Sequence, residues 1–169
     1  MLEIKKAAVE QADEISNITK AAFDIYRGAL DAATEVRLTA LTESVADVRR
    51  DIEQNTVFTA CENDKIIGAI RVKALSNDLA YIYRFAVDPC ESSGGVGSEL
   101  LAAAVNHCAE HGFSAVTLHT NSKYYKLARY YYGKQFYVHS TDMSKGYIRA
   151  LFVKDLNGKP VDLSPAKRK

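Results

Sequence analysis

Tyr83-Arg84-Phe85-Ala86-Val87-Asp88-Pro89-Cys90-Glu91-Ser92-Ser93-Gly94-Gly95-Val96-Gly97-Ser98-Glu99-Leu100-Leu101 passes from an apolar strand, through a glycine-rich turn, into an amphipathic helix. Three glycines among four residues, Gly94, Gly95 and Gly97, let the backbone approach a ligand closely. The helix that follows aims unpaired N–H groups and the positive end of its dipole at the same point. The segment reads as an anion cradle whose natural guest is a phosphate. With no ligand, the same residues would serve as a tight strand-to-helix turn.

A glycine turn before a helix serves several phosphate ligands, and the neighbouring residues separate them. A nucleotide-hydrolase loop needs Lys and then Ser or Thr after its last glycine, to reach the terminal phosphates and the magnesium. Here Gly97 is followed by Ser98-Glu99, so that reading fails. A dinucleotide fingerprint opens a repeated strand-helix unit and has an acidic ribose binder about 20 residues on. This turn lies past the middle of the chain with only one further strand-helix step after it, which fits that pattern poorly.

The rest of the chain frames the cradle. At 169 residues it is long enough for one domain with a full core, and its 47% hydrophobic and 25% charged residues are ordinary for a globular protein. The net charge of +1 gives no surplus of Lys and Arg to neutralise nucleic-acid phosphates. No apolar run reaches the ~20 residues that span a bilayer, and the start Met1-Leu2-Glu3-Ile4-Lys5-Lys6 lacks a signal-type core, so neither nucleic acid nor membrane is expected as a partner and the cytoplasm is expected as the location. Cys61, Cys90 and Cys108 are odd in number, widely spaced and without a C-x-x-C pair, which points to reduced, mostly packed thiols. The basic end Lys167-Arg168-Lys169 reads as a solvated, frayed terminus.

Glu3–Ala8 reads as a first strand, and Ala12, Ile15, Ile18 and Ala22 recur at helical spacing up to Phe23. Ser44 with Asp47 resembles a capping box that opens a helix through Val45, Val48 and Ile52. Val57–Cys61, Ile66–Leu75 and Leu79–Val87, joined by short polar turns, predict an antiparallel meander. The helix after the cradle carries Leu100, Leu101, Ala104, Val105 and Cys108 on one face and stops at Gly112. Phe113–Thr120 then reads as a buried strand, parallel to its neighbour across the helical crossover. Asn121 or Ser122 starts another helix that ends near Gly133, and Phe136–Ser140 with Tyr147–Lys154 forms a closing hairpin.

This order, together with Ser92-Ser93-Gly94-Gly95-Val96-Gly97, resembles the GCN5-related N-acetyltransferase (GNAT) family, whose signature is Gln/Arg-x-x-Gly-x-Gly/Ala between the fourth strand and the helix after it. Gly95 and Gly97 match the signature glycines, and Val87-x-Pro89 and Leu100-Leu101 are similar to the flanking residues. Ser92 stands where the family has Gln or Arg. The resemblance implies a mixed, mostly antiparallel α/β sheet of about seven strands with about four flanking helices, splayed between strands four and five. It implies one domain over 1–169, with 1–55 on the substrate side, 56–155 as the acetyl-CoA-binding core and hairpin, and 156–169 as a tail.

The resemblance further implies an enzyme that moves the acetyl group of acetyl-CoA to a primary amine by direct attack, without a metal. Phe85, Ala86 and Val87 would bond the pantetheine arm through main-chain groups, and a backbone N–H there would polarise the thioester carbonyl. Ser92, Ser93, Gly94, Gly95, Val96, Gly97 and Ser98 would hold the pyrophosphate, and Asn121 would contact the arm or cap its helix. The family's aromatic-Tyr-x-x-x-Gly-Phe pattern, counted back from Phe136, places the proton donor for the leaving thiolate at Tyr131. A tyrosine, with its ordinary pKa of about 10, is protonated at neutral pH and fits that task. The pattern's glycine is Gln135 here and Gly133 stands two residues early, which leaves Tyr130 and Tyr132 as alternative registers. Tyr124, Leu127, Ala128 and Tyr131 also fall at the spacing of a core-facing stripe.

Tyr26, Arg37, Glu43 and Arg84 can line a substrate pocket under a cap spanning Asp24–Glu53, with Glu43 either a base for the amine or an exposed first-turn glutamate. His107 and His111 have metal-compatible spacing but no evident third ligand, and read as a solvated helix surface. His119 either lines the site or is a hydrogen-bonded structural histidine. A homodimer is expected from the sheet edge in the closing hairpin. Two other readings stand beside the enzyme: a CoA-binding regulatory module of the same fold without turnover, and a nucleotide-binding protein.

Overall fold

The structure, a computed structural model, describes residues 1–28, 38–91 and 94–169. Arg37, Ser92, Ser93 and the middle of the expected cap lie outside the described residues. Seven strands make one sheet in the order β1-β2-β3-β4-β5-β7-β6. They are β1 Glu3–Lys6, β2 Thr56–Glu62, β3 Lys65–Ala74, β4 Leu79–Val87, β5 Ala115–Asn121, β6 Tyr137–Asp142 and β7 Arg149–Asp155. The described helices are α1 Ala12–Gly28, α2 Thr39–Thr42, α3 Val45–Gln54, α4 Val96–Glu110, α5 Tyr125–Gly133 and α6 Ser164–Lys167. This is the mixed, mostly antiparallel architecture expected from the sequence, and β4 with β5 is its parallel pair, as a helical crossover requires. That ladder joins Leu79, Ala80 and Tyr81 to Ala115, Val116 and Thr117.

The residues gather into two compact units, and β4 runs through both. The first holds Met1–Tyr26, Leu38–Lys73 and Ile82–His107. Its core packs Ala12, Ile15 and Val48 from one face of α1 and α3 against Val57, Ile66 and Ala69 of β2 and β3. α3 starts where the capping box predicts: Asp47 N–H donates to Ser44 Oγ at 3.2 Å and Ser44 N–H to Asp47 Oδ2 at 3.0 Å. α1 runs past Phe23 to Gly28, five residues further than its apolar stripe.

The second unit contains Ala74–Tyr81 and Cys108–Lys169. Its core joins Leu79, Ala115, Leu151 and Val153 to Ala166. The terminus is therefore not simply frayed. Lys167, Arg168 and Lys169 are exposed as expected, but α6 plants the fully buried Ala166 among the strands, with Val161 and Leu163 packed alongside. The closing hairpin pairs β6 with β7 and shifts register between Val138 and Ser140.

Candidate active site

In the first unit, β4 turns into the cradle through a series of local hydrogen bonds. Asp88 N–H donates to Ile67 O at 2.8 Å, and Asp88 Oδ1 accepts from Cys90 N–H at 3.0 Å, which starts a 3₁₀ turn over Pro89–Glu91. The Cys90 amide and Lys65 hold the Asp88 carboxyl below its ordinary range. Gly95 then takes φ +77, a left-handed backbone that side chains disfavour, and its carbonyl accepts from Ser98 and Glu99 to open α4. Nothing lies within 4 Å of where a Gly95 side chain would begin, so the glycine answers a backbone need rather than a lack of room. Val96, Gly97 and Ser98 occupy the first turn of α4; the Ser98 N–H is taken by the Gly95 carbonyl, while helix geometry gives the Val96 and Gly97 N–H groups no carbonyl partner within the helix. This is a fitting seat for a phosphate. Gly68 is the residue that sequence reasoning missed here. A Cβ at that position would lie 2.9 Å from Leu100 Cδ1, 3.2 Å from Ala86 O and 3.3 Å from Val96 Cγ1, so its bare backbone lets the start of α4 sit down on β3. A glycine inside the apolar run Ile66-Ile67-Gly68-Ala69-Ile70 was the available signal.

Just before Phe85–Val87, Arg84 has φ +50, a left-handed residue inside a strand. Its side chain is held by Glu43, with Nε 3.1 Å from Oε1, and by Thr39, with Nη2 3.0 Å from Oγ1. Glu43 accepts a second, forked pair from Arg71, both bonds at 2.8 Å, and Arg71 also donates to Asp51 of α3 at 2.7 Å. Burial works against the Arg71 charge, but Glu43 and Asp51 outweigh it and hold its pKa above the ordinary value. Tyr83 sits beside this cluster with its phenol pushed up by burial and then by Asp51. Glu43 is thus neither an exposed first-turn glutamate nor a ready base: its side chain is only 8% accessible and bound by two guanidinium groups.

Asn121 and Tyr131 belong to the second unit. Asn121 ends β5, opposite Arg149, and does not cap a helix from its first turn. Ser122 N–H is engaged by Ile148 O, which prolongs the strand pairing, and Asn121 Oδ1 accepts from Lys123 N–H at 2.9 Å, so α5 begins only at Tyr125. Tyr131 is buried, its ring packed against Phe136 and Phe152 with centroids 5.8 and 5.4 Å away. Tyr132 is 55% exposed. Gln135 stands where the family pattern has glycine, and it adopts φ +67, the conformation a glycine takes without cost. Lys154 Nζ reaches the Lys134 carbonyl at 2.8 Å and Gln135 Oε1 at 3.0 Å across this turn.

The histidines divide. His119 is half-buried on β5 with its imidazole turned away from solvent, its Nδ1 sharing a 3.0 Å hydrogen bond with the Tyr81 hydroxyl, and burial followed by the Arg149 charge pulls its pKa down to about 4. His107 is only partly solvated, because its Nε2 bonds Thr56 Oγ1 at 3.0 Å and its ring meets Phe58 edge-on. Among the described residues, no three His, Cys, Asp or Glu side chains converge as a metal site. Cys108 is buried in the core and burial pushes its thiol up to about 12, so it is inert, whereas Cys90 is exposed.

A family model described as the acetyltransferase (GNAT) family matches residues 20–136. The chain belongs to the GNAT family. Solved GNAT structures share its fold. The PaiA N-acetyltransferase of Thermoplasma acidophilum, in complex with coenzyme A, is 18% identical, covers 92% of this chain and 99% of its own, and superposes with a TM-score of 0.78. The yncA protein of Salmonella typhimurium, with its cofactor acetyl-CoA, is 14% identical over 96% and 98% of the two chains at a TM-score of 0.75. The ribosomal-protein-S18-alanine N-acetyltransferase of Escherichia coli is 14% identical over 96% and 99% at 0.74. No curated protein matches this GNAT chain in sequence. No described helix is long and apolar enough to cross a membrane.

Proposed function

We propose that this GNAT protein is an N-acetyltransferase that carries the acetyl group of acetyl-CoA to a primary amine by direct attack. The observation that carries the reading is the pairing, within the first unit, of an irregular strand with a helix N-terminus: β4 holds a left-handed residue at Arg84 just before Phe85–Val87, and α4 opens directly after the left-handed Gly95. The helix end with Gly94–Ser98 suits the pyrophosphate, and the main chain of Phe85–Val87 suits the pantetheine and the thioester oxygen. The coenzyme A and acetyl-CoA held by two structures of the same fold support this ligand.

A backbone N–H of Phe85–Val87 stabilises the negative charge that grows on the thioester oxygen as the amine attacks. Tyr131 is the residue proposed to protonate the leaving thiolate; its place four residues before a left-handed position 135 supports that register of the family pattern. Asn121 is proposed to bond the arm through its backbone. The amine must shed a proton before attack, and Glu43, committed to Arg71 and Arg84, is not the group proposed to take it. The identity of the amine would rest on the cap between Asp24 and Glu53.

Thermal denaturation with acetyl-CoA, CoA, ATP and NAD tests the proposal. A ligand bound only by the folded chain adds RT ln(1 + [L]/Kd), about 2.7 kcal/mol at a hundredfold excess over Kd. Stabilisation by acetyl-CoA and CoA alone is expected, followed by CoA release on screening primary amines and a lower kcat for Tyr131→Phe. Binding without release for any amine would favour a silent CoA-binding module, which the departures at Ser92 and Gln135 would fit. Stabilisation by ATP or NAD instead would overturn the reading.

A further inference from the structure

A left-handed backbone disfavours a residue with a side chain by about five- to thirtyfold, so some interaction must hold Arg84 at φ +50. Among the described residues, its side chain is hydrogen-bonded to Glu43 and Thr39. Glu43 is itself immobilised, because the forked Arg71 guanidinium that grips it is fully buried and tied to α3 through Asp51. The chain of contacts runs from Asp51 of α3, through the buried Arg71 of β3 and then Glu43, to the left-handed residue of β4 just ahead of Phe85–Val87. Within the ion-paired set itself, two carboxylates balance two guanidinium groups. What it supplies is a fixed point.

Resting on the acetyltransferase reading, we propose that Glu43 and Arg84 are positioning residues: an ion-pair clamp anchored on Arg71 that holds the left-handed residue in β4 and so aims the main-chain groups of Phe85–Val87 at acetyl-CoA. Neither residue touches the reacting atoms. Loosening the clamp changes where the β4 amides point and leaves the cradle at Gly94–Ser98 as it was.

The comparison of Arg84→Ala with Arg84→Gly tests this. Both remove the clamp, but glycine enters the left-handed region without cost and alanine does not. Calorimetric binding of acetyl-CoA and amide hydrogen exchange at Phe85–Val87 are read for each. Arg84→Ala should weaken acetyl-CoA binding by about five- to thirtyfold, the full backbone preference, and speed exchange at Phe85–Val87. Arg84→Gly should recover much of the affinity, and exchange in α3 should stay at the wild-type rate in both. If Arg84→Ala binds and exchanges like the wild type, or if alanine and glycine are equally weak, the clamp is wrong. Should Arg84→Ala lose protection in α3 as well, Thr39→Ala, which removes only the outer hydrogen bond, must still give a smaller shift in the same direction, and its failure to do so overturns the clamp. A wild-type chain that binds no acetyl-CoA would instead refute the acetyltransferase reading, while the exchange data would still judge the clamp.

Discussion

Lowering the pH from about 7 to about 4 should cost this protein stability through one side chain, His119. Its imidazole is 5% accessible, bonded through Nδ1 to Tyr81, with Nε2 buried 4.0 Å from Asp142 Oδ2. That carboxylate offers little help to an imidazolium. Burial pushes the Asp142 carboxyl up, but hydrogen bonds from Arg149 and Ser144 more than offset this and hold it at about 2, its charge already committed. His119 therefore resists protonation until about pH 4 in the fold, whereas the unfolded chain takes the proton near 6.5. Above 6.5 both states are neutral there and the residue adds no pH dependence. Between 6.5 and 4 the unfolded state binds more protons, so stability falls with pH, by about 3 kcal/mol when the interval is traversed.

Urea unfolding followed by circular dichroism at several pH values would read this, the loss appearing as a fall of roughly 1–2 M in midpoint for a slope of about 2 kcal/mol/M. His119→Asn keeps a hydrogen-bonding group near Tyr81 but cannot titrate. It should start less stable at about pH 7 and lose far less by pH 4. Asp142 does not confuse the measurement, because its own contribution is lost only as pH falls from about 3.8 towards about 2. Parallel decline of wild type and His119→Asn between 6.5 and 4 would refute the argument.

Two packing predictions bear on the units separately. Gly68→Val should cost about 1–3 kcal/mol, because its Cβ starts 2.9 Å from Leu100 and 3.2 Å from a backbone oxygen that cannot yield as a leucine tip can; it should also weaken acetyl-CoA binding by lifting the start of α4, as unfolding curves and calorimetry would show. Ala166→Asp would bury a carboxylate among Leu79, Ala115, Leu151 and Val153, and a loss of about 2–4 kcal/mol in urea is expected, where a solvated tail would show none.

What could be read in the chain and what could not follow from the range of the interactions. Signals carried within a few residues held up: Leu79–Val87 is β4 to the residue, Ser44 and Asp47 cap α3, and Gly112 at φ +80 follows α4 as a left-handed stop. The glycine turn was readable for the same reason, since Gly95 answers a backbone requirement of its own position. The misreadings involve partners far apart in sequence. Glu43 looked like a helix-start glutamate because Arg71 and Arg84, 28 and 41 residues away, leave no periodic trace. Ser122 looked like a helix residue until Ile148 claimed its amide, and Ala166 looked like part of a tail until Leu79 and Val153 received it. Gln135 belongs to both groups: its departure from the family pattern is visible in the sequence, but that its backbone still takes the glycine conformation, with Lys154 bridging the turn, is visible only in the fold. A pattern records which conformation a site needs, and a different residue can meet that need when its neighbours hold it there. Arg84 in β4 makes the same point where no pattern marked the position at all.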